Sequence, residues 1–258
     1  MKKNTQINLI EGSIAKNIVR FAVPMFLGNL FQQLYNMADS LVVGNFLGSR
    51  SLAAVTSTGS LIFLLVGFFS GTAMGAGVVI SRFFGAKDYN NIKKAVHTDI
   101  AFGILCGILM TVVGVIFAPQ ILSLMGTPDD VFVESVRYIR IYFLGSLAVI
   151  MYNVCMGILQ AVGDSRHPLY YLIISSVVNI ILDLLFIGIF RFGVGSAALA
   201  TIISQFLSVA LCMRQLIKTD DVYRVCIKDI AFDKGILVQI LNIGLPSGLQ
   251  NSIISIAN

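Results

Sequence analysis

Apolar residues run along this chain in long blocks, each separated from the next by a short polar, Gly or Pro segment. Six blocks lie near 15–46, 52–81, 95–118, 132–160, 168–190 and 195–217, and a seventh begins near Lys234 and reaches the chain end at Asn258. A helix needs about 20 mostly apolar residues to cross the hydrocarbon core of a bilayer, so each block predicts one spanning helix. The pattern therefore predicts an all-α polytopic membrane protein. Its parts are a six-helix transmembrane lobe over 1–217, a connecting segment over 218–233, and the start of a further helix over 234–258.

Composition sharpens this. Of the 258 residues, 57% are hydrophobic and 12% charged, with a mean hydropathy of +0.87. Soluble domains average about 45–50% apolar and about 25% charged, so the chain is predicted to be integral to a membrane. The opening MKKNTQINLIEGSIAKNIVRFAVP has a basic start, but its polar approach is long and no small-residue cleavage site interrupts the apolar run, which argues against a cleaved signal peptide. The four cysteines, Cys106, Cys155, Cys212 and Cys226, lack metal-site or CxxC spacing and read as free thiols.

Charge sets orientation rather than partners. With the N-terminus inside, fourteen Lys and Arg fall on the inner side, among them Lys16, Arg20, Lys93, Lys94, Arg166 and Lys228; the outer side holds only Arg50, Arg137, Arg140 and Arg191. Basic residues flanking spans mark the cytoplasmic side, so the N-terminus is expected in the cytoplasm of a cell with this protein in its plasma membrane. The net charge of +5 is used up by this topology, and no nucleic-acid partner is expected.

An internal repeat adds organisation. Setting FAVPMFLGNL (21–30) over IGLPSGLQNS (243–252) matches Pro24 with Pro246, Leu27 with Leu249 and Asn29 with Asn251, an offset of 222 residues. An even number of spans per repeat points both copies the same way across the membrane. On this reading the chain is one half of a two-lobed carrier plus the start of a C-terminal lobe that it lacks.

Polar residues inside the spans carry the chemistry. The stretch SSVVNIILDLLFIG (175–188) holds Asp183 in an apolar run, one helical turn after Asn179. An Asp at the centre of a spanning helix costs about 2.5–3.5 kcal/mol. At about 1.5 Å rise per residue, Asp183 lies about 10 Å below the outer end of its span, Asp39 about 8–13 Å below that of the first, and Thr201 about 9 Å into the sixth. Asp39, Asn179, Asp183 and Thr201 thus share one level with no cationic partner. Such a cluster has two chemically sensible states, protonated or holding a small hard cation such as Na⁺; packing hydrogen bonds between helices are the plainer use of Asn and Thr. Tyr35, one turn before Asp39, could hydrogen-bond it, and Pro24 removes a backbone hydrogen bond and lets the first helix bend. Gln32, Asn36, Asn153 and Gln205 are further polar positions able to line a cavity. Asp99 is expected to reach water at the inner end of the third span. The ladder Gly67, Gly71, Gly75 is expected to pack within the lobe.

The stretches PMFLGNLFQQLYNMADSLVVGNFLG, GAGVVISRFFGAKD, LQAVGDSRHP and NIILD, which follow one another along the whole chain, resemble the N-terminal half of a multidrug and toxic compound extrusion (MATE) transporter. The resemblance implies a twelve-helix antiporter of two six-helix lobes that exports bulky, often cationic amphipathic drugs while admitting H⁺ or Na⁺, with no cofactor. In the prokaryotic DinF-like branch the N-lobe cation site is similar in composition to Asp39, Asn179, Asp183 and Thr201, with Tyr35 nearby and a proline matching Pro24. Gln32 and Asn153 match positions that line the drug cavity there. Small molecules and membrane lipids are the partners this implies.

The expected mechanism is alternating access driven by cation loading at Asp39 and Asp183. A lipid-linked oligosaccharide flippase of the same broad architecture and a non-transporting membrane subunit are the alternatives. An intramembrane enzyme is not expected: no HExxH is present, and His97 and His167 read as ordinary histidines in or near cytoplasmic loops.

Overall fold

The computed structural model describes residues 13 to 257. The basic residues Lys2 and Lys3 and the terminal Asn258 lie outside the described residues. Seven α-helices follow in order: α1 (Ile14–Gly85), α2 (Tyr89–Leu124), α3 (Asp129–Leu144), α4 (Ser146–Ala161), α5 (Arg166–Asp183), α6 (Gly195–Lys218) and α7 (Lys234–Ala257). A π-helical segment, Leu184–Ile189, continues α5, and a 3-10 turn, Ile227–Asp229, lies in the segment between α6 and α7. No strand occurs among the described residues.

The first two predicted spans join into α1, which is broken at Gly48 (φ +85°, ψ 177°). A left-handed φ is natural for glycine and costly for other residues, so the chain turns there without a connecting loop. Beside the break, Leu52 Cδ2 lies 3.2 Å from where a Cβ on Gly44 would stand. At 72 residues and about 1.5 Å each, α1 is more than three times as long as a bilayer core is thick and supplies two crossings. The predicted fourth span is also interrupted: α3 and α4 meet at Gly145 with a bend of 48°. Counting the arms of α1 as two and the bent pair as one, the lobe has the six spans that the hydrophobic pattern predicts.

Local chemistry places the ends. Asp88 N-caps α2 by accepting from Asn91 N–H (3.2 Å), which satisfies one of the free amides of the first turn. This is the role of the aspartate in GAKD. α3 starts after Pro128 with Asp129 and Asp130 in its first turn, where acids complement the helix dipole. Pro119 does not end α2, which runs on to Leu124.

Two of the predicted packings differ from what is found. Gly71 and Gly75 pack on α7 rather than inside the lobe: a Cβ on either would stand 2.4 Å from the backbone of Gly248 or Gly244. The glycine seam therefore joins the second arm of α1 to the helix beyond the connecting segment. Pro246 sits inside α7 as Pro24 sits inside α1.

Asp99 does not reach water; it is 1% exposed. It lies in a stretch of α2, residues 95 to 101, that is buried on every side, within electrostatic reach of Cys155 on α4, while the connecting segment lies across the same end of α2. His97, itself buried, donates from Nδ1 to the Lys93 carbonyl (2.7 Å) and accepts the Cys226 N–H on Nε2 (3.0 Å). Thr98 Oγ1 accepts from Asp233 N–H (3.1 Å) and donates to the Ala231 carbonyl (3.4 Å). Lys93 pairs with Asp229 (2.6 Å) and Lys94 with Asp233 (3.5 Å). His97 is thus a buried anchor of this dock and not an interfacial residue. At the other end of the molecule, Glu134 accepts from Ser51 Oγ (3.0 Å) and pairs with Arg50 (3.6 Å), joining the break in α1 to α3.

Candidate functional site

Three helices bring the polar residues of the spans to one place. Along the first arm of α1, Tyr35, Asp39 and Val43 are buried at i, i+4, i+8, while Leu34 before them and Met37 and Leu41 between them are exposed. That stripe is one helix face turned into the lobe. α5 presents Ser175, Ser176, Asn179 and Asp183 on its buried face, and α6 presents Ala197, Ala198, Thr201 and Gln205. Around them lies an apolar shell of Val43, Val55, Tyr138, Ile187, Val194, Ala197 and Ala198.

The side chains interlock. The Asp39 and Asp183 carboxyls lie within each other's electrostatic reach across the α1–α5 interface. Tyr35 O–H donates to Thr201 Oγ1 (3.2 Å), not to Asp39, and Thr201 Oγ1 in turn donates to the Ala197 carbonyl (3.1 Å). With its amide nitrogen facing the acid, Asn179 donates to Asp183 Oδ2 (3.0 Å) and accepts from the Thr201 backbone N–H (3.2 Å). Asp183 and Asn179 are 0% exposed and Asp39 8%.

What the site lacks defines it as much as what it holds. Asp39 Oδ1 and Asp183 Oδ1 are buried without a hydrogen-bond partner, and among the described residues no Lys or Arg contributes to the electrostatic surroundings of either acid. Two buried carboxyls this close in the electrostatic field of one another favour a proton or a cation at the pair, since neighbouring like charges disfavour full ionisation. Carboxylate, amide and hydroxyl oxygens are also the donors a hard cation prefers. The residues present fit either occupant.

The chain continues from Asp183 into the π-helical segment, where Phe190 N–H reaches back five residues to the Leu185 carbonyl (2.9 Å). Such wide turns are rare and often sit at functional positions. Neither it nor the two α3 tyrosines is visible in the residue pattern. Tyr138 is buried within the electrostatic reach of Asp39, Asp183, Tyr35 and Tyr142, and its ring stacks on that of Tyr142 at 6.5 Å. Their i, i+4 spacing is the one signal that could have flagged them, and it equally describes packing.

The remaining candidates are not drawn into this cluster as a group. Asn153 accepts from Ser70 Oγ (3.1 Å) and donates to the Val149 carbonyl (2.8 Å), tying α4 to α1. Gln205 is buried, with Oε1 unpartnered. Asn36 is half-buried and donates to Gln33 Oε1 (3.4 Å); Gln32 is also half-buried. Pro24 lies inside α1, about 22 Å along the helix from Asp39.

Six spans around a buried acid pair define an all-α integral membrane protein. More particularly, the MatE family pattern matches residues 24–185, more than half of the chain, and the chain belongs to that family. It is 34% identical over 255 residues to the "Probable multidrug resistance protein YoeA" of Bacillus subtilis (strain 168), an alignment covering 95% of this chain and 54% of the relative. It is 29% identical over 250 residues to the "Multidrug export protein MepA" of Staphylococcus aureus (strain MRSA252), covering 96% and 55%. A solved structure of a MATE protein in the bent conformation superimposes with a TM-score of 0.90 at 29% identity, over 100% of this chain and 57% of that one. The chain spans about half the length of the curated relatives it matches.

Proposed function

We propose that the chain is the N-terminal lobe of a two-lobed multidrug efflux antiporter, coupled to H⁺ or Na⁺ and working by alternating access. The N-terminus lies in the cytoplasm and the membrane is the plasma membrane. The substrates are small, cationic amphipathic drugs held in a cavity between this lobe and a C-terminal one, with Gln32, Asn36, Asn153 and Gln205 as the lobe's polar contributions.

One observation carries the reading: a buried pair of carboxyls within each other's electrostatic reach, Asp39 and Asp183, with no cationic partner among the described residues and one unsatisfied oxygen each. A purely structural pair would be served better by a Lys or Arg neighbour or by apolar residues of the same volume. Left as it is, the pair accepts a positive charge from outside and gives it back. Tyr35, Asn179 and Thr201 hold its geometry. Cation binding must favour one conformation to shift the balance between two, and the first arm of α1, which carries Asp39 and can bend at Pro24, is the element that responds.

The test uses proteoliposomes of the two-lobed carrier containing this lobe, with an imposed H⁺ or Na⁺ gradient. Asp183→Asn is expected to leave drug binding in place and to remove the dependence of efflux on the gradient. Gradient-driven efflux at the wild-type rate in both Asp183→Asn and Asp39→Asn would exclude the coupling role.

A further inference from the structure

The N-terminal end of α1 and the start of α5 diverge from a point of contact. At Gly28 the two helices touch, with Leu169 Cδ1 and Leu172 Cδ2 each 3.9 Å from where a Cβ would stand. About one to three turns nearer the N-terminus they frame a cleft of about 410 Å³ lined by Lys16, Val19, Arg20, Val23 and Pro24 of α1 and by Arg166, the first residue of α5.

The lining has an order. Residues 16, 19, 20, 23 and 24 follow the i, i+3, i+4 spacing of one helix face, so the cleft runs along the axis of α1 for about 12 Å. Lys16 and Arg20 occupy its outer part, with Arg166 on the facing wall; Val23 and Pro24 line the part nearer the membrane interior. Among the described residues no acid pairs with any of the three cations. This contrasts with the nearby dock of the connecting segment, where Lys93 and Lys94 each have an aspartate.

Three unpaired cations at the water end of a groove whose deeper wall is aliphatic match one kind of molecule in sequence of chemistry: an anionic head followed by a hydrocarbon chain. We propose that this cleft is a binding site for an anionic phospholipid, with the phosphate between Arg20, Arg166 and Lys16 and the first acyl methylenes along Val19, Val23 and Pro24. Arginine suits the phosphate because its planar fork donates two hydrogen bonds to one oxyanion, and lysine adds charge. A free phosphate ion has nothing to place against the aliphatic wall. The site shares only Pro24 with the transport reading and no residue with the acid pair, and lipid retention is measured without a gradient.

The experiment is native mass spectrometry of the purified, delipidated chain given phosphatidylglycerol or phosphatidylcholine with the same acyl chains. Wild type is expected to retain phosphatidylglycerol and to lose it at high salt, with phosphatidylcholine retained weakly and without salt dependence. Each cation near a lipid surface contributes roughly fivefold. The double variant Arg20→Gln, Arg166→Gln should therefore weaken phosphatidylglycerol retention by roughly 25-fold and leave phosphatidylcholine unchanged, while Arg20→Lys, Arg166→Lys keeps most of the retention. Equal retention of the two lipids by wild type, or wild-type retention of phosphatidylglycerol by the glutamine variant, overturns the proposal. Complete displacement of phosphatidylglycerol by millimolar inorganic phosphate overturns it in favour of a small-anion site.

Discussion

The molecule contains two polar clusters built on opposite terms. At the α2 end of the lobe, the groups that meet the connecting segment are matched: His97 has its Cys226 amide, Thr98 its Asp233 amide, and Lys93 and Lys94 an aspartate each. In the cluster of Asp39 and Asp183 the acids face one another, with neutral oxygens for neighbours and two carboxyl oxygens unserved. Satisfied polar groups fasten structure, whereas a buried polar group left without a partner costs stability and persists where something else completes it. The first cluster holds the chain together; the second is the one where the proposed coupling places a cation.

The contrast can be broken most directly at the acids. Replacing both, Asp39→Asn with Asp183→Asn, is expected to abolish cation binding by the purified chain and to leave its melting temperature equal or higher. A melting temperature well below wild type would put this pair in the same structural class as the dock. At the glycine seam, Gly71→Leu drives a side chain into the Gly248 backbone and should cost about 1–3 kcal/mol, read by thermal melting, with cation binding by the acid pair retained. His97→Ala should cost about 1 kcal/mol and speed amide exchange over residues 226–233, again with cation binding unchanged.

Finer changes test each cluster's edges. Tyr35→Phe removes one hydrogen bond to Thr201 and is expected to weaken cation binding severalfold with little effect on melting. The smallest effect concerns pH at the dock. The Lys93 ammonium holds the Asp229 carboxyl below its ordinary value of 3.8, and the Ile236 amide together with Lys94 does the same for Asp233. A carboxyl depressed in the folded state contributes stability that is fully present above 3.8 and lost as pH falls through the depressed value. These groups are exposed and screened, so only a slight acid-induced loosening of the segment is expected below about pH 4, followed by hydrogen exchange.

The hydrophobic blocks made the spans legible because crossing a bilayer imposes a length and a composition. The level shared by Asp39, Asn179, Asp183 and Thr201 was legible too, since rise per residue is constant along a regular helix. What could not be read belongs to tertiary contact. Residue counting put Asp99 beside water, but that part of α2 is buried on every side, with α4 against it. The glycines announced a close helix neighbour without saying that it is α7. Tyr138 and Tyr142 sit in an apolar run where a ring looks the same whether it packs or faces an acid, and the π-helical segment after Asp183 depends on hydrogen-bond register, which side-chain periodicity does not encode.

That segment carries a consequence for motion. A wide turn accommodates one residue more than an ordinary turn, so α5 holds a spare residue just beyond Asp183. Tightening it would slide the register by a single position and swing all that follows by about 100°, carrying Ile187 off its present contacts while the backbone stays wound. Such a change would re-register the stretch bordering the acids while its amides end bonded within the helix.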